Sequence, residues 1–272
     1  MDPSAKNVHR LTAADVAAFI PDRPERAHKY SFGRLQIFAG SARYPGAAFL
    51  CALGAFKSGC GYVSLESLAP EKILAQIPEV VLGRDPKATA LVLGPGMEAL
   101  APADERDLLL GELSRVIDAT ALGSLKLKDL SSLKNAVLTP HTGEAASLFG
   151  VSAEEIEKDR LGFLRGELLR AQLHSSSCFV LKGFETLIYA RGEIVLVPTG
   201  NVAQANAGHG DLLSGVIGGL LAQGLDGSDA ARLACFSLGL AADRLSEGRY
   251  PAGVLAHEVA AELGRVWESL RH

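Results

Sequence analysis

Residues 204–224, QANAGHGDLLSGVIGGLLAQG, place one carboxylate, Asp211, between a glycine-rich turn and a strongly apolar helical run. Gly208, His209 and Gly210 leave backbone N–H groups uncovered at the start of that helix, where they and the helix dipole can hold an anion such as phosphate. Asp211 can equally act as a helix N-cap, its side-chain oxygen accepting a bond from a free backbone N–H. Taken alone, the stretch favours the cap, because Gly-x-Gly-Asp is a short and common pattern.

Further polar and glycine-rich residues follow the short apolar runs that read as strands. In doubly wound sheets the ligand lies outside the carboxyl ends of the strands, so these residues are the next candidates for a site. Their glycines let the backbone approach a ligand, and their side chains supply acid, base and imidazole groups. The candidates are Ala39-Gly40-Ser41 with Pro45-Gly46, Gly94-Pro95-Gly96, Asp118, Thr139-Pro140-His141-Thr142-Gly143-Glu144 and Lys182-Gly183.

Each of these residues also has a purely structural interpretation. The segment 94–96 can be a simple strand-to-helix turn. His141 can cap the helix that it opens, and Glu144 can interact favourably with the N-terminus of that helix. Lys182 can extend from a strand end into solvent. Asp118 can hold magnesium or a hydroxyl group, or it can cap the next helix.

The elements that carry these residues alternate along the chain. Strands are expected at 35–40, 62–67, 90–96, 115–120, 135–140 and 178–183, followed by a hairpin over 185–200 that turns at Arg191-Gly192. Helices are expected at 46–59, from Pro70, after His141, from 152 to about 174, and at 210–223, 228–246 and 253–270. This order predicts an α/β fold with a mostly parallel central sheet and helices on both faces. No linker or repeat divides the chain, so one domain is expected over 1–272, with an N-terminal arm over 1–27.

The composition excludes several classes of function. A formal net charge of −4 and a pI near 6.0 give no basic footprint for nucleic acid. No apolar stretch is long enough for a membrane span, and residues 1–16 lack a signal-peptide core, so a cytoplasmic location is expected. The four cysteines are scattered and are expected to be buried thiols. Neither a Walker motif nor a G-x-G-x-x-G follows a strand.

Six segments, in this order, resemble the ADP- or ATP-dependent NAD(P)H-hydrate dehydratases. They are GRLQIFAGSARYPGAAFLCALGAFKSGCGYVSL, LVLGPGM, VIDATAL, VLTPHTGEAASLFG, FVLKGFETLIY and PTGNVAQANAGHGDLLSGVIGGLLAQG. The resemblance spans about residues 28–265. That family belongs to the ribokinase-like superfamily, formerly described as carbohydrate kinases, so the resemblance implies a three-layer α/β/α fold.

The resemblance also implies a reaction. The protein would use ADP or ATP, with Mg²⁺, to dehydrate the S-epimer of C6-hydrated NADH or NADPH and so restore the cofactor. Asp211 would be the base that takes the proton of the hydrate hydroxyl as its oxygen attacks the terminal phosphoryl group. The backbone N–H groups of 208–211 would form the anion hole that stabilises the phosphoryl charge. Phosphate would then leave, pushed out by the electrons of the ring nitrogen.

Position by position, the resemblance assigns the other site residues. The hydrated dinucleotide would contact Pro45, Gly46, Ala47, Gly96, His141, Asn206 and Asp211, with Asn201 in the same loop as Asn206. The adenine nucleotide would contact Lys182, Gly183, Phe184, Glu185, Thr186 and Gly210. Asp118 and Glu144 are candidates for a contact to Mg²⁺ through water. Family likeness further implies a homo-oligomer, such as a tetramer, and a separate NAD(P)H-hydrate epimerase as pathway partner.

Two alternative functions stay open, and two departures from the family pattern motivate the second of them. His209 stands where the family usually has a small hydroxyl residue, and Thr120 stands where it usually has a second aspartate. The first alternative is a kinase of the same superfamily that phosphorylates an alcohol of a small molecule. The second is a nucleotide-binding protein with weakened catalysis.

Overall fold

Ten strands form one sheet in the computed structural model, which describes residues 8–99, 105–250 and 252–272. The strands are β1 His9–Arg10, β2 Arg34–Phe38, β3 Tyr62–Glu66, β4 Val81–Leu82, β5 Ala90–Leu93, β6 Ser114–Ile117, β7 Ala136–Leu138, β8 Cys178–Leu181, β9 Leu187–Ala190 and β10 Glu193–Leu196. Their order across the sheet is β1-β10-β9-β8-β7-β6-β5-β2-β3-β4. Strand β9 is antiparallel to both of its neighbours, and the other pairs are parallel. The predicted mostly parallel sheet is therefore confirmed.

The sheet has a switch point between β2 and β5. From this boundary the chain proceeds through β3 and β4 in one direction and through β6, β7 and β8 in the other. The loops that follow β2 and β5 meet there, since the N–H of Gly40 donates to the carbonyl of Pro95 at 2.7 Å. In an open parallel sheet, a crevice for ligands forms at this place, outside the carboxyl ends of the strands.

Helices cover both faces of the sheet. They are α1 Ala13–Ala17, α2 Pro45–Lys57, α3 Pro70–Leu74, α4 Glu105–Leu110, α5 Ala119–Gly123, α6 Thr142–Phe149, α7 Ala153–Lys158, α8 Arg160–Arg170, α9 His209–Ala222, α10 Gly227–Ser246 and α11 Ala256–Leu270. One core contains residues of α2, α9, α10 and α11, and a second core contains residues of α5, α6 and α8. Strand β5 shows the alternation that separates the cores: Val92 faces the first, while Leu91 and Leu93 face the second. The predicted three layers are present.

Glycines allow α2 and α9 to pack closely. An ideal Cβ on Gly215 of α9 would lie 2.0 Å from the carbonyl oxygen of Cys51, and one on Gly54 of α2 would lie 2.5 Å from that of Leu212. Eleven residues of α9, from Leu212 to Ala222, are buried, so the helix can be apolar on all sides. The helix predicted at 210–223 is confirmed.

Several details differ from the sequence prediction. The helix expected from 152 to about 174 is two helices, because Asp159 leaves the helical region at φ −152° and its side chain accepts a bond from the N–H of Gly162 at 2.8 Å. The two edge strands were not predicted: β1, paired in parallel with β10, and β4, paired in parallel with β3. The hairpin is confirmed: Arg191 and Gly192 both have positive φ, as a tight two-residue turn requires. No helix in the described part of the chain is both long and apolar enough to cross a membrane.

Candidate active site

Asp211 lies in the first turn of α9 and does not cap it. The N-cap is Gly208, whose φ of +105° suits glycine, and no side chain in the described part of the chain caps the helix. The first N–H groups of a helix have no acceptor within it, so a helix start without a capping side chain leaves these donors to a ligand or water. The capping interpretation of Asp211 is therefore wrong, whereas the arrangement matches an anion site at the helix N-terminus.

The environment of Asp211 disfavours its negative charge. Burial and, to a lesser extent, the charges of Asp118 and Glu144 raise the pKa of Asp211, the Lys182 ammonium opposes them, and the net result is a pKa of about 6. A carboxyl group with a pKa near neutrality can exchange a proton at physiological pH, as a general base must. The side chain is thus chemically suited to proton abstraction.

Lys182 brings a positive charge to the start of α9. Its Nζ lies 2.9 Å from Oδ1 of Asp118 and 3.9 Å from Oε2 of Glu144. An ideal Cβ on Gly210 would lie 3.4 Å from this Nζ. Burial lowers the pKa of Lys182, but the two carboxylates outweigh burial and hold it above its usual value. With only 20% of its side chain exposed, Lys182 does not extend into solvent; it is a charged lysine beside the proposed anion hole.

Asp118 connects Lys182 to helix α9. Its Oδ2 accepts a hydrogen bond of 2.7 Å from Oγ of Ser214, and its side chain is 3% exposed. Although Asp118 occupies the N-cap position of α5, its side chain accepts no capping bond. The capping interpretation of Asp118 is therefore wrong. Both carboxylate oxygens are used to join β6, β8 and α9 at one edge of the sheet.

His141 and Glu144 form a reciprocal cap at the start of α6. Nδ1 of His141 accepts from the N–H of Glu144 at 3.2 Å, and Oε2 of Glu144 accepts from the N–H of His141 at 2.8 Å. The capping interpretation of both residues is confirmed. The His141 ring remains 61% exposed, and Glu144 remains within 3.9 Å of Lys182, so both also border the site.

The loop from Lys182 to Thr186 is ordered by polar contacts. The hydroxyl of Thr186 donates to the carbonyl of Gly183 at 3.2 Å, and Glu185, with φ +54°, pairs with Arg10 of β1 at 3.1 Å. Phe184 is 84% exposed. The loop that follows Lys182 thus presents an exposed aromatic ring on a backbone held by hydrogen bonds.

The start of α2 lies against the turn after β5. Gly96 has φ +62°, and an ideal Cβ there would lie 2.5 Å from Cβ of Ala47. By contrast, Gly46 faces open space, since a Cβ at this position would meet no atom of the described residues within 4 Å. Pro45 is the first residue of α2, where its missing N–H costs nothing. These residues are brought together at the switch point, as predicted from the strand ends.

Asn206 and His209 hold the segment that precedes α11. Nδ2 of Asn206 donates to the carbonyl of Val254 at 3.0 Å, and Nε2 of His209 lies 3.2 Å from the same oxygen. Asn201 instead donates to Asp243 and Ser246 of α10. Burial lowers the pKa of His209, and the hydrogen bond to Val254 only partly opposes this effect. His209 is therefore a neutral anchor for this segment near pH 7.

Comparison with known proteins identifies the family. A profile described as NAD(P)H-hydrate dehydratase matches residues 35–265. The chain belongs to this family. It is 32% identical over 280 residues to the ADP-dependent (S)-NAD(P)H-hydrate dehydratase of Bacillus subtilis, covering 96% of this chain and 99% of the relative. It spans about half the length of the bifunctional NAD(P)H-hydrate repair enzymes that it also matches, 53% in the case of Coxiella burnetii.

Solved structures support both the family and the fold. The ADP/ATP-dependent NAD(P)H-hydrate dehydratase of Bacillus subtilis, co-crystallised with ATP and Mg²⁺, superposes with a TM-score of 0.87 at 29% identity, over 97% of this chain and 99% of that chain. A ribokinase-like superfamily protein from Enterococcus faecalis shares the fold, with a TM-score of 0.83 at 23% identity over 97% of each chain. The dehydratase fold is therefore of the expected ribokinase-like class.

The two departures from the family pattern have structural roles in this dehydratase-family chain. His209 anchors the segment at Val254 as a neutral side chain and adds no positive charge to the anion hole. Thr120 donates from its hydroxyl to the carbonyl of Met97 at 2.6 Å, which ties α5 to the turn after β5. Neither departure changes Asp211 or Lys182, the acidic and basic side chains at the start of α9.

Metal binding by side chains alone is not supported. Within residues 8–99, 105–250 and 252–272, no cluster of three or more His, Cys, Asp or Glu side chains could hold a metal ion. Both oxygens of Asp118 already have partners in Lys182 and Ser214. This donor set fits a Mg²⁺ ion that is held mainly by nucleotide phosphates and water, which is the usual mode in nucleotide-dependent enzymes.

Among the residues that organise the site, sequence reasoning missed Ser214 and Arg10. Ser214 lies three residues after Asp211 and so shares its face of α9, which is a signal that could have found it. Arg10 lies in a two-residue edge strand with no periodicity to reveal it. The four cysteines are buried free thiols, as predicted, and burial raises the pKa of Cys60, so this thiol is not a nucleophile.

Proposed function

We propose that the protein is an ADP- or ATP-dependent dehydratase of the S-epimer of hydrated NADH and NADPH. The observation that carries this proposal is Asp211, with a pKa of about 6, beside the Lys182 ammonium at the uncapped start of α9. The Bacillus subtilis relatives, named for this substrate and these nucleotides, support it.

The first step is phosphoryl transfer to the hydrate. Asp211 takes the hydroxyl proton while the hydroxyl oxygen bonds to the terminal phosphorus, and the bond from that phosphorus to the nucleotide breaks. The products are the phosphorylated hydrate and AMP from ADP, or ADP from ATP. The N–H groups at 208–211 and the Lys182 ammonium stabilise the negative charge of the transferring group. The charges of the site suit this step. The Lys182 ammonium faces the incoming anion, and the carboxylates of Asp118 and Glu144 hold that ammonium in place.

The second step is elimination of phosphate. The carbon–oxygen bond to the phosphate breaks as the lone pair of the ring nitrogen forms a double bond to C6. Loss of a proton from the neighbouring ring carbon then gives the dihydronicotinamide and inorganic phosphate. Phosphorylation thus converts a poor leaving group, hydroxide, into a good one, and this explains why a hydro-lyase would consume a nucleotide.

The remaining site residues are proposed to bind the two substrates. The hydrated dinucleotide lies against Pro45, Gly46, Ala47, Gly96, His141 and Asn206, and the nucleotide lies against Lys182, Gly183, Phe184, Glu185, Thr186 and Gly210. Open space at Gly46 and the exposed rings of His141 and Phe184 support these assignments. When bound with the nucleotide, Mg²⁺ would neutralise phosphate charge, with Asp118 and Glu144 near its waters.

Assembly, partners and location are also proposals. The bifunctional relatives are about twice as long as this chain, which supports a second repair activity that works beside this one, expected to be the epimerase. A homo-oligomer, a cytoplasmic location and a single domain over 1–272 remain predictions.

Asp211→Asn tests the proposed base. We expect the wild type to convert hydrated NADPH to NADPH with ADP or ATP and Mg²⁺, seen as rising dihydronicotinamide absorbance. Asp211→Asn should lower kcat by about 100-fold or more, since loss of a general base removes at least this factor. Asp226→Asn is the matched control, because Asp226 caps α10 outside the site.

Three results would contradict the proposal. The first is activity of Asp211→Asn close to that of the wild type. The second is a stable phosphorylated product without NADPH, which would indicate a kinase. The third is nucleotide binding without turnover by the wild type, which would indicate a protein with weakened catalysis.

A further inference from the structure

Arg160, the first residue of α8, contacts the backbone of the proposed nucleotide loop. Its Nη1 donates to the carbonyl of Phe184 at 2.6 Å, and its Nη2 donates to the carbonyls of Leu181 and Lys182 at 3.0 and 3.1 Å. One guanidinium group therefore binds three carbonyls within four consecutive residues. This is a fork geometry that arginine can provide and lysine cannot.

Stability of α8 does not explain this side chain. Asp159 already caps the helix, and a cation at a helix N-terminus is unfavourable to the helix dipole. Burial lowers the pKa of Arg160, although Glu157 and Glu185 partly oppose this effect. Its Nε has no partner among the described residues. The favourable contacts of the guanidinium are thus concentrated on the loop.

The loop backbone is shaped around the guanidinium. Gly183 has φ +147°, a region that side chains disfavour, and an ideal Cβ there would lie 2.7 Å from Nη1 of Arg160. On the other side of the same turn, the N–H of Lys182 donates to the carbonyl of Pro140 at 2.9 Å. The backbone of Lys182 is therefore fixed at its N–H by Pro140, in the segment after β7, and at its carbonyl by Arg160.

This fixed backbone determines where the Lys182 ammonium lies. From it the side chain reaches Asp118 at 2.9 Å and lies beside Gly210 at the start of α9. We infer that Arg160 is a positioning residue for the nucleotide: it holds the 181–184 backbone so that Lys182 and the loop meet the nucleotide phosphates. This inference rests on the proposed function, and Arg160 itself is not assigned a contact with substrate.

Nucleotide binding by Arg160→Lys tests this role. The variant keeps the charge but loses the fork, and we expect ADP affinity, measured by calorimetry with Mg²⁺, to fall about tenfold, as for one or two lost hydrogen bonds. In the dehydration assay, KM for the nucleotide should rise while KM for the hydrate stays unchanged. A merely structural role would instead lower the active fraction and leave both KM values unchanged. Arg170→Lys is the matched control, because Arg170 is exposed on the same helix and pairs only with Glu167 among the described residues.

A second variant approaches the contact from the loop. Gly183→Ala places a methyl group against the Arg160 guanidinium at a φ that is unfavourable for alanine, so it should weaken ADP binding in the same way. This variant decides the question if Arg160→Lys does not fold. Wild-type ADP affinity in the two folded variants would overturn the inference and leave the proposed function intact. Absence of ADP and ATP binding to the wild type would overturn both.

Discussion

Asp211 is predicted to destabilise the folded protein near neutral pH. Its pKa is about 6, against an ordinary value of 3.8, because burial and the neighbouring carboxylates disfavour its charge. The folded state therefore binds the proton of Asp211 more tightly than the unfolded state does. Protonated Asp211 therefore contributes to the free energy of unfolding, and this contribution is fully present below pH 3.8 and is lost as the pH rises through 6.

Replacement by asparagine removes this penalty. The difference between 3.8 and about 6 corresponds to about 3 kcal/mol, at about 1.4 kcal/mol for each pKa unit. Relative to the wild type, Asp211→Asn should gain about 3 kcal/mol in free energy of unfolding at pH 8, and about half of that at pH 5, where the folded wild type is mostly protonated. The same substitution thus removes activity and adds stability, as expected when a catalytic group is held in an unfavourable environment.

Urea denaturation of both proteins at pH 5, 6, 7 and 8 measures the effect. Asp226→Asn is the control of opposite sign. Burial of Asp226 would raise its pKa, but the N–H groups of Asp229 and Ser228 together with Arg191 lower it, so its charge stabilises the fold at high pH. Asp226→Asn should therefore be less stable than the wild type by the same amount at pH 5, 6, 7 and 8, because this charge is fully present above the ordinary pKa of 3.8.

One result would refute the reasoning about Asp211. If Asp211→Asn has the same free energy of unfolding as the wild type at both pH 5 and pH 8, the carboxyl group has an ordinary pKa. It would then be too weak a base to fit the assigned role.

Two further predictions concern packing and the polar network. Gly215→Ala should cost about 3 kcal/mol or more in free energy of unfolding, because its Cβ would overlap the carbonyl of Cys51, while Gly264→Ala, in open space on α11, should gain up to about 1 kcal/mol. Equal urea midpoints for these two variants would contradict the packing of α2 against α9. Ser214→Ala should cost about 1–3 kcal/mol, because Oδ2 of buried Asp118 loses its donor, and urea denaturation matching the wild type would exclude this hydrogen bond.

The sequence alone was enough to predict that the polar residues of the site lie close together. The polar residues after β2, β5, β6, β7 and β8 meet because the carboxyl ends of parallel strands share one edge of the sheet. This prediction needed only the local pattern of apolar runs and turns. For the start of α9 the local pattern left an anion site and a helix cap open, and the anion hole followed only from the family resemblance.

The contacts inside the site could not be predicted in this way. Ser214 and Asp118 are 96 residues apart, and Arg160 reaches a loop more than twenty residues further along the chain, so no local pattern links the partners. The roles of Asp211 and Asp118 as caps were misjudged, because a cap depends on backbone angles and side-chain direction rather than on residue type. The neutral state of His209 depends on burial, which only the folded structure shows.

The most direct test of the proposed function counts the products of one reaction. Wild-type protein is mixed with hydrated NADPH, Mg²⁺ and either ADP or ATP, and the nucleotide consumed, the phosphate released and the NADPH formed are measured together. If phosphorylation is followed by elimination, as proposed, one nucleotide is consumed and one phosphate is released for each NADPH formed. NADPH formation without nucleotide consumption, or nucleotide consumption with phosphate retained on the substrate, would contradict it.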